Sequence, residues 1–392
     1  MTGAHGGGEN RLLVGGGALS IAGVLTTVVA PLLADGLRTT GLDNAAIGAH
    51  LTALHVVQVA TIVILATTGW VARFDRRWSG LIGCGLGAAG FVGAAVVPAG
   101  SGVTLTMVLI GLGAGISYAA GGSALSYASD TERAYAAVTV ASIVIGSAVL
   151  VGTALAPLDD SRVTIFGGLA LVLVLLGLVG TRIPALGSAE PDRSGPAPRW
   201  LDAPGAALIA GYFLLNVGIL GIWTFSGQMG QAAGLSETGS WWVLGVAQVM
   251  SVLGCLIAAR MGASAAKISV LVASVISLAV GKILIASTVL WAYLIGNLVT
   301  NLTFYTVIPF VFAAGADLNP RNGRLVVVVG ASAMAAGAVA PLAAGLVAGD
   351  GDNWLALGIA AAAVIMTALP LLLLALRAAW QRRESVAPVL QQ

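Results

Sequence analysis

The chain has 392 residues, of which 58% are apolar and only 9% charged, with a net charge of +2 and a mean hydropathy of +0.98. A water-soluble domain is about one quarter charged, and so few charges cannot cover this much apolar surface in water. Its two cysteines, Cys84 and Cys255, lie in apolar runs far apart, which indicates neither a disulfide framework nor a metal site.

A helix crosses a bilayer with about twenty mainly apolar residues. Runs of that kind recur at roughly 12–35, 45–69, 79–98, 102–126, 134–157, 164–183, 204–227, 239–259, 267–287, 290–315, 324–348 and 354–379. They are continuously apolar rather than alternating, so helices are expected and not barrel strands. The first run is too long for a signal-peptide core and reads as a retained span. The fold class expected is therefore all-α and integral to the membrane, with about twelve transmembrane helices.

The charges orient these spans. With the amino terminus in the cytoplasm, the cytoplasmic side holds Arg11, Arg73, Arg76, Arg77, Arg133, Arg182, Arg193, Arg199, Arg260, Lys267, Arg321, Arg324, Arg377, Arg382 and Arg383. Only Arg38 and Arg162 fall outside, and Lys282 lies within a span. Positive residues are retained inside during insertion, so both termini are expected in the cytoplasm of a multi-pass protein of the inner or plasma membrane.

Residues 181–200, rich in Pro, Gly, Ser and charge, form the only long polar connection. The chain thus divides into an amino-terminal six-helix half (1–180), a cytoplasmic linker (181–203) and a carboxy-terminal half with a short tail (204–392). The halves look duplicated. Gly41-Leu42 before span two matches Gly234-Leu235 before span eight at an offset of 193. Ala72-Arg73 matches Ala259-Arg260 at 187, and Arg133 with Gly146 matches Arg324 with Gly337 at 191. Matches in order at nearly constant offset point to a parallel duplication and two pseudo-symmetric halves.

Two segments carry a family resemblance. After span two the chain runs Gly69-Trp-Val-Ala-Arg73-Phe-Asp75-Arg76-Arg77, and before span five Ser129-Asp-Thr-Glu-Arg133. Together with the architecture, these resemble the major facilitator superfamily, whose loop signature is Gly-x-x-x-Asp-Arg-x-Gly-Arg-Arg. The basic residues are kept but the spacing is not, and Ala72 stands where the signature aspartate should. The antiporter Gly-Pro pair of span five is absent. The resemblance implies a central cavity lined by spans one, four, seven and ten, and halves that rock around it. It implies gating roles for Arg73, Arg76 and Arg77, while the repeat assigns gating to Arg133 and Arg324.

Polar residues within spans tend to face the protein interior or a wet cavity. In span ten Tyr293, Asn297, Asn301 and Tyr305 recur every four residues and share one face, with Thr300 beside it. The amides can orient a polar solute group or tie helices together. Span seven offers Asn216 and Trp223 on one face, and span four Tyr118; these three and the four of the span-ten stripe are candidate substrate contacts. His55, with Gln58 one turn on, is either a proton-coupling group or a satisfied packing residue. Lys282 is expected to snorkel to the interface, and the glycines of span four, Gly111, Gly113 and Gly115, to serve packing. No Asp or Glu lies deep in an expected span, which argues against a site for cations.

The function expected is secondary active transport of a small weakly polar, aromatic or anionic organic solute by alternating access, coupled to an ion gradient such as that of protons. A sensor with a transporter-like fold, or a lipid-modifying membrane enzyme, is the alternative, but no cluster of His, Asp or Cys supports catalysis. The expected partners are the small-molecule substrate and the bilayer; no cofactor, metal or nucleic acid is expected, and the chain is expected to be a monomer.

Overall fold

The structure is a computed structural model that describes residues 5–68, 75–98, 100–128, 131–156, 161–184, 202–261, 267–319 and 324–386. Its helices are α1 (His5–Val28), α2 (Ala30–Arg38), α3 (Asn44–Thr68), α4 (Arg76–Val96), α5 (Ser101–Leu125), α6 (Thr131–Leu155) and α7 (Ser161–Gly180). The series continues with α8 (Ala203–Ala232), α9 (Glu237–Met261), α10 (Lys267–Ala286), α11 (Leu290–Leu318), α12 (Arg324–Gly337), α13 (Ala340–Ala348) and α14 (Trp354–Val386). Among the described residues, twelve helical segments are long and apolar enough to cross a membrane, and each matches one expected run. The protein is a multi-pass membrane protein.

The first and eleventh runs are each two helices. Val29 (ψ 21°) interrupts α1 and α2, and Pro31 sits in the first turn of α2. Pro341 occupies the same place in α13, after the break at Val339. Proline supplies no N–H and its ring collides with the carbonyl four residues back, so a continuous helix is disfavoured at both points.

The chain separates into two compact units, Met1–Ser194 and Gly195–Gln392. The division falls inside the expected linker, whose residues 185–201 lie outside the described set. In the first unit α5 packs against α1, α3 and α4. A Cβ on Gly111 would run into the Leu54 carbonyl of α3, and one on Gly113 into the Gly83 carbonyl of α4. Small residues let helix backbones touch where lipid offers no hydrophobic drive. In the second unit α8 packs on α14, and α11 is flanked by α9 and α10. Outward positions such as Leu171, Leu175 and Leu178 of α7 are exposed leucines, as a surface facing hydrocarbon requires.

The expected duplication has a local structural counterpart. Gly41 and Gly234 both take positive φ, 82° and 96°, at the end of the helix preceding α3 or α9. Two residues on, Asp43 Oδ1 accepts from the Ala46 amide at 2.7 Å, and Ser236 Oγ accepts from the Gly239 amide at 3.0 Å. Both pairs obey the same offset of 193. A glycine that stops one helix and an oxygen that caps the next are thus built identically in each unit.

Candidate functional site

In the first unit the polar interior gathers where α1, α3 and α5 meet. Tyr118, half-buried on α5, presses its Cα and Cβ against Gly23 of α1. Gln58 on α3 donates from Nε2 to the Gly23 carbonyl at 2.6 Å. His55 is 4% exposed, and its Nδ1 stands 3.0 Å from Gln58 Oε1. The amide therefore ties α3 to α1 and orients the imidazole. The Ser20 and Thr26 hydroxyls of α1 are buried without a hydrogen-bond partner.

The expected gating arginines separate by environment. Arg73 lies outside the described residues, as do the side chains of Arg133 and Arg324, although their positions open α6 and α12. Arg76 is buried: Nε donates to Ser123 Oγ at 2.9 Å and Nη2 to the Tyr127 hydroxyl at 3.2 Å. Its guanidinium also lies 4.9 Å from the centre of the Tyr127 ring. It fastens the start of α4 to the end of α5. Asp75 caps α4 by accepting from the Arg77 amide at 2.9 Å, and the Arg77 side chain is 4.0 Å from the same carboxylate. Sequence reasoning had no means to link Arg76 with Ser123 and Tyr127, 47 and 51 residues away.

In the second unit the α11 stripe is buried at Tyr293, Asn297 and Asn301, whereas Tyr305 is half-buried with its ring edge-on to Phe304 at 5.1 Å. Asn297 Nδ2 donates to the Tyr293 carbonyl and Asn301 Nδ2 to the Asn297 carbonyl, both at 2.9 Å. Two members also bridge helices. The Tyr293 hydroxyl donates to the Ser226 carbonyl of α8 at 3.0 Å, and Asn301 Oδ1 accepts from Ser251 of α9 at 3.3 Å. Asn297 makes no such bridge among the described residues. On α8, Asn216 is buried and donates to the Tyr212 carbonyl at 2.8 Å, while Trp223 is half-buried.

Two ionisable residues depart from what the sequence suggests. Lys282 does not snorkel: it is 1% exposed, among the largest fully buried side chains in the protein. Its place on α10 puts it on the face that packs inward, which sequence alone did not reveal. Asp35, in α2, is 4% exposed; it stands at the very end of the first apolar run, where the sequence gives no sign of that burial. At the other end of the second unit, Asp202 caps α8 by accepting from the Gly205 amide at 2.9 Å and pairs with Arg382. Arg382 in turn donates to the Leu318 carbonyl of α11 at 2.8 Å. Burial raises the Asp202 carboxyl, but the Arg382 hydrogen bond, the Gly205 amide and the charge of Arg382 outweigh that and hold it below its ordinary value.

No family model and no curated protein matches the sequence. Solved structures do match over nearly the whole chain. The nucleoside transporter NupG superposes with a TM-score of 0.67 at 15% identity, covering 93% of this chain and 98% of that one. A bacterial homologue of the human lysosomal transporter Spinster, in an inward-facing unoccupied conformation, superposes with a TM-score of 0.68 at 14% identity, covering 97% and 99%. The chain has the fold of the major facilitator transporters.

Proposed function

We propose that this chain, built on that fold, is a secondary transporter that carries a small organic solute across the membrane by alternating access. The observation that carries the reading is the buried phenol-and-amide stripe Tyr293, Asn297, Asn301 on α11. Desolvating such groups costs free energy unless they are matched, and polar groups held inside a membrane-spanning bundle mark solute paths. Asn297, which bridges to no other helix, is the amide best placed to meet a solute; Asn301 and Tyr293 hold the stripe in register. Asn216, Trp223, Tyr305 and Tyr118 supply further amide and aromatic surface. A weakly polar, aromatic or anionic solute suits this set, and a nucleoside, the cargo named for NupG, falls within that class.

In this reading His55 couples proton movement to transport, with Gln58 setting its orientation. Arg133 and Arg324, at the first turns of α6 and α12, act with Arg73 and Arg77 as cytoplasmic gate residues. Arg76 serves the gate by holding α4 to α5. The charge distribution supports both termini in the cytoplasm; in this reading the chain works as a monomer in the plasma or inner membrane. The test is accumulation of radiolabelled uridine, adenosine and benzoate in cells expressing the protein. Uptake or exclusion of one of them relative to cells carrying an empty vector is expected; identical levels of all three would count against the solute class.

A further inference from the structure

The start of α10 and the ends of α11 and α14 enclose a cavity of about 40 Å³, room for about three groups the size of a water molecule. α11 lines it with Phe310, Ala313, Ala314 and Asp317, whose spacing puts them on one face of the helix. α14 answers with Ala379 and Trp380. The space exists because alanine holds three of the wall positions where these helices meet. Phe310, Ala314 and Ala379 form the floor, at 5%, 4% and 3% exposure. Ala313 is exposed and Asp317 and Trp380 are half-buried, so the cavity opens on their side.

Asp317 is the one charged residue in the lining. Among the described residues no hydrogen bond or ion pair engages it. It stands in the last turn of α11, at the negative end of the helix dipole, where an acidic side chain is unfavourable and a cation is favoured. The cation held at this helix end is Arg382, and it is already committed. It donates to the Leu318 carbonyl at 2.8 Å and pairs with Asp202. A carboxylate is thus left at the mouth of a cavity with no positive partner among the described residues.

An ammonium group answers each of these features. It neutralises a carboxylate and donates hydrogen bonds to it, aromatic rings attract it, and a short carbon stem suits apolar walls. An anion would meet Asp317 as a like charge. A hard metal ion takes several oxygen ligands, and Asp317 is the one oxygen-bearing side chain in the lining. An uncharged apolar molecule would strip water from the carboxylate and return nothing.

We infer that this cavity is a binding site for a primary organic ammonium, held by Asp317 with Phe310 and Trp380 beside it. Asp317 follows Asn301 by 16 residues, about 24 Å along the helix, so the site does not rest on the transport reading. The ammonium's source is a free amine or the ethanolamine headgroup of a phospholipid. The second fits the depth of the site: α11 has 29 residues, about 43 Å, and a hydrocarbon core of about 30 Å leaves its last turn among headgroups.

The test is the melting temperature of the purified full chain in neutral detergent. In one arm ethylammonium chloride replaces sodium chloride at constant ionic strength; in the other, phosphatidylethanolamine replaces phosphatidylcholine in the micelles at constant total lipid. A saturable rise of about 3 °C is expected in at least one arm. A rise with ethylammonium alone marks a free amine as the source, and a rise with the ethanolamine lipid marks the headgroup. Asp317→Asn should weaken the apparent affinity about tenfold or more and, without amine, melt no lower than the wild type. Ala313→Phe, which fills the mouth from an exposed position, should abolish the rise. No rise in the wild type in either arm overturns the site, as does an equal rise in Asp317→Asn. If the asparagine variant does not fold, an unchanged affinity in Ala313→Phe overturns it instead.

Discussion

His55 and Gln58 are held in a fixed order of donation: Gln58 gives its Nε2 to the Gly23 carbonyl at 2.6 Å, which leaves Oε1, 3.0 Å from His55 Nδ1, to accept. The ring proton of a neutral His55 is thereby assigned to Nδ1, and Nε2 is the nitrogen open to a further proton. Replacing His55 with Asn should reduce solute accumulation driven by an imposed pH gradient about tenfold or more, while solute exchange without a gradient persists. Gradient-driven accumulation at the wild-type level in this variant would remove His55 from the coupling role.

The arginines should divide into two kinds. Arg133→Ala and Arg324→Ala are expected to slow transport several-fold and leave solute affinity nearly unchanged. Arg76→Ala instead strips a charged donor from Ser123 and Tyr127 and should lower stability by about 2 kcal/mol. Transport rates, affinities and melting curves of the three variants separate these outcomes. A selective loss of binding in Arg133→Ala or Arg324→Ala contradicts gating, and an unshifted melting curve in Arg76→Ala contradicts the fastening role.

Asp202 offers a pH test at the edge of the membrane. Because its folded carboxyl is held below the ordinary value, its stabilisation is present above the unfolded carboxylate pKa of about 3.9 and is lost as pH falls through the folded value. Its side chain is 38% exposed, so the pair with Arg382 contributes modestly. Asp202→Asn keeps a capping oxygen and should lose only the acid-sensitive part, converging on the wild type at low pH. Asp202→Ala loses the cap as well and should cost about 1 kcal/mol more. Parallel melting curves for wild type and Asp202→Asn at every pH would argue against the ion pair.

The orientation is tested by cysteine labelling in a background where Cys84 and Cys255 are replaced. In intact cells a cysteine at Ser161 should react with an impermeant thiol reagent, and one at Ser194 should not. Equal labelling of the two from outside would sink the assignment of cytoplasmic termini.

The twelve spans were legible because a bilayer demands one simple thing of sequence, a long apolar run. Equivalent ends of the two units were legible too, since Gly41 and Gly234 must each adopt a backbone that glycine tolerates best. The breaks at Val29 and Val339 had a visible cause in Pro31 and Pro341, but an apolar run does not register them. What the sequence could not show was which side of a uniformly apolar helix faces inward. Lys282 was misplaced for that reason: with α10 apolar all round, only the packing of α11 and α14 decides its environment. The same limit hid the difference between Asn301, which meets Ser251, and Asn297, which bridges to no helix.

The measurement that bears most directly on the account is net uptake into proteoliposomes from a defined mixture of nucleosides and small organic acids, read by mass spectrometry. Wild type, Asn297→Leu, Asn301→Leu and protein-free vesicles are compared, with melting temperatures of each purified protein. At least one solute should enter wild-type vesicles above the protein-free level. Asn297→Leu should weaken its apparent affinity by about 1–3 kcal/mol, the cost of an unmatched polar group. Asn301→Leu, deprived of its bond to Ser251, should chiefly lower the melting temperature. No solute distinguishing wild-type from protein-free vesicles, or an Asn297→Leu affinity equal to wild type, would contradict a solute path along α11.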